Sequence, residues 1–117
     1  MPHVVLTGDV NIDDIFTTFK PVFIHKDKDV LKTGTIYISH DKTTILLESL
    51  AIEDAVKKSF LAMISHRDDG IVVRIYPGSA VEKTSGVKKI LAEIAKQLKA
   101  AFPHMSIGET NLSEYLE

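Results

Sequence analysis

Between Val30 and Pro77 one figure occurs twice: an alternating apolar run, a tight polar turn, and a second alternating run. Val30-Leu-Lys-Thr-Gly-Thr-Ile-Tyr-Ile-Ser39 leads through His40-Asp-Lys42 into Thr43-Thr-Ile-Leu-Leu-Glu-Ser-Leu-Ala-Ile52. Phe60-Leu-Ala-Met-Ile-Ser65 leads through His66-Arg-Asp-Asp-Gly70 into Ile71-Val-Val-Arg-Ile-Tyr76. Period-two alternation broken by turn residues is the pattern of antiparallel hairpins. Gly70 closes the second turn because glycine takes positive φ without steric cost.

The flanks add shorter elements. His3–Leu6 reads as a first strand, ended by Thr7-Gly8-Asp9. Asn11 is an N-cap, Asp13 and Asp14 suit a first helical turn, and Ile12, Ile15, Phe16 and Phe19 share a helical stripe. Pro21 ends that helix and opens an edge strand over Pro21–His25. Residues 53–65 admit two readings. Ile52, Ala55, Val56, Phe60 and Ile64 fit a helical stripe, whereas the Asp68-Asp69-Gly70 turn asks for a strand before it. The second reading is favoured, with a short helical or irregular link over Glu53–Lys58.

The clearest helix comes late. Val87, Ile90, Leu91, Ile94, Ala95, Leu98 and Phe102 form one stripe, Thr84 or Ser85 can cap it, and Pro103 lies past its end. The polar tail Ser106–Glu117 offers at most one more helical turn, and its acidic part, Glu109–Glu117, is free to fold back on the lysines of that helix or to meet them in a second subunit. The expected fold is therefore a single α+β domain over residues 1–117. It is an antiparallel β-meander of about five to six strands packed by a long C-terminal amphipathic helix, with a short N-terminal helix. This order of strands followed by a helix resembles that of PH-like and helix-grip modules. No residue motif accompanies the resemblance, and no functional residue is carried over from it.

Composition narrows the function classes. The chain has 117 residues, 44% hydrophobic and 26% charged, as in an ordinary globular domain. It has no cysteine, so disulfides, thiolate metal sites and a cysteine nucleophile are excluded. With a net charge of −2 no bulk field draws it to nucleic acid or an acidic membrane. No apolar run reaches bilayer length, and Met1–Gly8 lacks a basic leader region, so a cytoplasmic protein is expected.

Three constellations merit chemical reading. Histidines and aspartates gather at turns, and alternate turns of a meander fall at one end of the sheet. His40, Asp41, His66, Asp68 and Asp69 are thereby candidates for a metal site or an acid–base pair. Gly78-Ser-Ala-Val-Glu-Lys83-Thr84 nearly fits a phosphate loop, but Glu82 stands where the second glycine must let backbone approach phosphate. A weaker anion site at the helix start remains, with Ser85, Gly86, Lys88 and Lys89 as candidates. The third is the lysine-rich face from Lys83 to Lys99, suited to an anionic partner. Only two arginines and no basic–aromatic interleaving accompany it, so nucleic acid is not expected. No cofactor is called for.

The central strands are apolar on both parities. Ile45, Leu47 and Ala51 alternate with Leu46, Leu50 and Ile52; Phe60, Ala62 and Ile64 alternate with Leu61 and Met63. A sheet apolar on both faces needs cover on the second. The Ile12–Phe19 helix is expected to supply part of it. A partner surface, a homodimer interface or a cleft for a small apolar ligand would supply the rest. The leading expectation is a binding or interaction module; the alternatives are a small metal-dependent or acid–base enzyme and an anion or nucleic-acid contact through the lysine face of the C-terminal helix.

The helical stripe carries the first prediction. Leu91→Ala should lower stability by about 2–5 kcal/mol, as truncation of a buried leucine does. Lys96→Ala should cost less than about 0.5 kcal/mol. Denaturant midpoints compare them, and a larger loss from Lys96→Ala would put the helix on another face.

Overall fold

A two-residue turn decides the ambiguous segment. In the computed structural model, which describes residues 1–117, Asp54 and Ala55 both take positive φ, 51° and 64°. Two successive positive-φ residues form the tight hairpin connection that matches strand twist. The chain therefore passes from β4 (Thr44–Glu53) directly into β5 (Val56–Arg67), with Glu53 opposite Val56. The expected helical or irregular link over Glu53–Lys58 is absent. Alanine gives no turn signal, so nothing in the residues marks the connection as a two-residue turn.

The remaining elements are β1 (His3–Thr7), α1 (Ile12–Thr18), β2 (Phe23–Lys26), β3 (Asp29–Ile38), β6 (Gly70–Ile75), α2 (Ser85–Ala101) and β7 (Ser106–Thr110). One 3-10 turn, Ser113–Tyr115, follows. All seven strands join one sheet in the order β2-β3-β4-β5-β6-β1-β7, with every pairing antiparallel.

The expected five-to-six-strand meander under a long C-terminal helix is thereby corrected. Strands β2 to β6 do form a meander, but β1 lies on its far side and β7 adds beyond β1. The missed strand, Ser-Ile-Gly-Glu-Thr, carries one large apolar residue and a glycine. Its strand state comes from the free edge of β1, not from its own pattern. The tail pairs along β1 over Ser106–Thr110, and its last turn, Ser113–Tyr115, then lies against α2, where Tyr115 and Lys89 line one hollow. The helix is also short for its task. Its 17 residues span about 25 Å, against about 29 Å for seven strands side by side. The sheet curls into a half-barrel to meet it.

Both helices lie on the same face. Val87, Ile90, Leu91, Ile94, Ala95 and Leu98 of α2 and Ile12 and Ile15 of α1 join one core with inward residues of the sheet, among them Leu6, Leu47, Ile64 and Val73. Gln97 of α2 bonds both the backbone N–H and the carbonyl of Lys20, tying the exit of α1 to α2. The expectation that α1 covers the second face is therefore corrected. Leu91 and Leu98 are buried, as the stripe requires. The lysines Lys88, Lys96 and Lys99 are half-buried rather than fully exposed.

Asn11 caps α1 by accepting from the N–H of Asp13 at 2.9 Å. Gly70, with φ 156°, sits against β1 so closely that a Cβ there would lie 2.0 Å from the carbonyl oxygen of Leu6. Gly70→Ala should therefore cost at least about 3 kcal/mol, because backbone on both sides cannot yield. Ala55→Gly should stabilise by about 0.5–1 kcal/mol, by relieving left-handed alanine. Chemical denaturation of both variants checks the pair, and their effects should have opposite signs.

Candidate functional site

With both helices on one side, the opposite face of the sheet has no helix over it, although Met63 and Val5 on that face are buried. Direct pairing puts its side chains in rows across the strands. One row runs Phe23, Lys32, Leu50, Ser59; the next holds Glu48 and Leu61; a third runs Tyr37, Leu46, Met63, Arg74, His3. Phe23 is 66% exposed and Tyr37 47%. Leu46, Leu50, Leu61 and Val72 are half-buried by their neighbours alone.

The middle of this face is a dish of about 530 Å³, with Leu50 and Leu61 among its walls and Lys32, Glu48, Ser59 and Ser79 around them. A β-bulge shapes it. Two residues of β3, Gly34 and Thr35, stand opposite Glu48 alone, so the strand bends away from β4. On the other side β6 ends at Ile75, and the following loop returns to donate structure differently: the N–H of Leu61 bonds the Ser79 hydroxyl at 3.0 Å. Tyr37 donates its hydroxyl to Glu48 at 2.6 Å, and the carboxylate that accepts this bond raises the phenol pKa. Apolar walls with a sparse polar rim suit recognition of a surface or ligand. No nucleophile–base pair lies in the dish.

The turn cluster comes out differently. The β3–β4 and β5–β6 turns do share one end of the sheet, as the meander requires. They are two strand spacings apart, about 10 Å. Asp41 serves its own turn. Its carboxylate accepts from the Ser39 and Thr43 hydroxyls at 2.7 and 2.8 Å, and these bonds lower its pKa. Its ordering of the turn is therefore present above the ordinary carboxylate range and lost as pH falls through the lowered value. Asp69 pairs with Arg67 at 2.7 Å. His66 borders a polar hollow of about 510 Å³ with Asp9, Asp14 and Lys42; His40, Asp41, Asp68 and Asp69 are not among its walls. Nowhere do three histidine or carboxylate side chains stand close enough to hold a metal ion.

The start of α2 already has its anion. Glu53, at the end of β4, accepts from the hydroxyl of Thr84 and from the N–H of Gly86, the latter at 3.2 Å. Thr84 in turn caps the helix by accepting from the N–H of Val87. Gly86 allows the approach, since a Cβ there would lie 2.6 Å from the Glu53 carboxyl carbon. Ser85, Gly86 and Lys89 still line a hollow of about 270 Å³ with Glu53, but Lys88 does not. The backbone donors that would attract a phosphate are directed at a carboxylate of the chain itself. Sequence reading missed Glu53 because its partner lies more than thirty residues away. It also missed Lys32, Glu48 and Tyr37, although strand parity and register, once known, put them on one face.

No family model, no curated protein and no solved structure matches the chain. No helix is long and apolar enough to cross a membrane.

Glu53→Ala should cost about 1–2 kcal/mol, because it leaves donors at the helix start unpaired. Lys88→Gln should cost less than about 0.5 kcal/mol. Urea unfolding separates them. Equal effects would mean that Glu53 does not anchor the helix.

Proposed function

We propose that this chain is a binding module whose working surface is the helix-free face of its sheet, and that it pairs there with a second copy of itself. The observation that carries the reading is one-sided cover. Both helices pack on one face, while Leu46, Leu50, Leu61 and Val72 on the other have no helix over them and stay half-exposed. A contiguous apolar patch of this kind on a soluble domain marks an interaction surface.

Self-pairing is favoured by charge. Lys32 and Glu48 both border the central dish. A two-fold axis through it sets Lys32 of each copy against Glu48 of the other, with Leu50 and Leu61 meeting between them. Tyr37 and Phe23 then form an aromatic margin, as interfaces favour. The reading places the protein in the cytoplasm, with neither cofactor nor catalysis in its task.

Sedimentation over roughly two decades of micromolar concentration tests it. The expected result is a rise from the 13.0 kDa monomer toward twice that mass. Lys32→Glu or Glu48→Lys alone should abolish the rise, and the two together should restore it. A monomer throughout, with no enhancement of an apolar dye's fluorescence, would remove the surface from consideration. Dye binding by a persistent monomer would leave an apolar ligand in place of the second copy.

A further inference from the structure

We infer that the end of the helix-free face nearest the β5–β6 turn is a binding site for a phosphate ester, built around Arg74. The chain has only two arginines, and both border one hollow of about 420 Å³, together with His3, Ser65 and Val72. His3 and Arg74 are direct cross-strand partners on β1 and β6, and Ser65 pairs with Val72 on the same face. Arg67 lies two residues beyond Ser65, on the same parity. Four polar side chains from three strands thus border one place; His3 is held there by the Met1 carbonyl at 3.0 Å and Arg67 by Asp69, which leaves Arg74 as the cation without a partner.

Arg74 is the anomaly that gives the place a task. Its Nε is shut off from solvent and has no hydrogen-bond partner, the one side-chain polar atom of the chain in that condition. Its guanidinium forms none of the chain's ion pairs. The closed Nε is out of a ligand's reach, but the half-buried side chain borders the hollow with no ion pair, so the rest of its guanidinium fork is free for an anion there. The nearby carboxylates are engaged elsewhere. Asp69 holds Arg67 at 2.7 Å, and Glu109, 81% exposed, touches His3 at 3.6 Å from outside. No carboxylate lines the hollow.

Guanidinium forks recognise carboxylate and phosphate alike. The arrangement favours phosphate. A carboxylate has two oxygens in one plane, whereas donors arriving from β1, β5 and β6 suit the several oxygens of a tetrahedral anion. The hollow also exceeds one phosphate group in size, and Val72, beside Leu46 and Met63 of the apolar rows, offers a wall for an organic substituent. The site is distinct from the start of α2, where Glu53 takes the anion's place. Its wall Val72 belongs to the apolar face, but Lys32 and Glu48, the charges that set self-pairing, are not among its lining residues.

With only two arginines, the Nε–Hε resonances of nitrogen-15 labelled protein report the site directly. Inorganic phosphate and phenyl phosphate, titrated at constant ionic strength, should shift the Arg74 resonance along saturable curves. Phenyl phosphate should bind several-fold more tightly. Arg74→Gln, its fold checked by the amide spectrum, should weaken binding of phenyl phosphate at least about tenfold, read from the Arg67 resonance and nearby amides. Lys88→Gln should leave the curves unchanged. A shift linear in concentration, or one reproduced by sodium chloride, would overturn the site. Equal binding of both phosphates would overturn the ester assignment, and benzoate binding as tightly as phenyl phosphate would overturn the preference for phosphate. The wild-type titration stands even if Arg74→Gln fails to fold.

Discussion

The insertion of β1 between β6 and β7 is the interaction on which the rest of the structure depends. It joins residues 3–7 to residues 70–74 on one side and to the last strand on the other. Without it β6 would be an exposed edge and β7 would have no template. The ends of the chain are stitched together at the same place: the Asn111 side chain bonds the N–H of His3 and the carbonyl of Met1, and Thr110 donates to the carbonyl of His3. Such pairing joins the two termini across nearly the full chain length, so loop-closure entropy is spent before the contacts repay it. The meander β2 to β6, made of local hairpins, provides the edge that makes this repayment possible.

Closing the sheet this way also decides which face is covered. Once β1 is in place, the seven strands curl around α2, and α1 follows β1 to the same side. The helix start is pinned to the hairpin between β4 and β5 by Glu53, while Gln97 and Lys20 join the two helices near the other end of α2. These are side-chain-to-backbone bonds that satisfy groups a helix end or a loop leaves unpaired. They fix the orientation of α2, and the apolar stripe supplies the stabilisation. The second face receives nothing from either helix, which leaves the apolar rows and the arginine hollow facing outward.

Much of the local structure is legible in the residues. The two central hairpins, the Asn11 cap, the stripe of α2 and the turn at Gly70 follow from short-range patterns that the backbone must obey. Alternation on both parities in β4 and β5 also announces, before any coordinates, that the sheet has a second apolar face. The candidate residues are legible only as types. The histidines and aspartates were visible, but Asp41 and Asp69 are engaged in local bonds within or beside their own turns. The anion preference of the helix start was visible too, but not that Glu53 would meet it.

What the tertiary structure alone decided has one physical cause: long-range backbone pairing carries no signature in side-chain period. Ser106–Thr110 becomes a strand because the edge of β1 offers it hydrogen bonds, and Asp54-Ala55 becomes a turn because β4 and β5 pair along ten positions. The side taken by α1, and therefore the lack of a helix on the other face, is likewise a consequence of where β1 inserts. Arg74 reads in the sequence as one more outward residue of a strand; only the pairing that sets it beside His3 shows a half-buried guanidinium with no ion pair. Sequence by itself determined which segments extend, which coil and how apolar each face would be, because those depend on neighbours a few residues apart. Strand order, the choice of covered face and the convergence of polar side chains depend on residues brought together from opposite ends of the chain, and those only the folded molecule could decide.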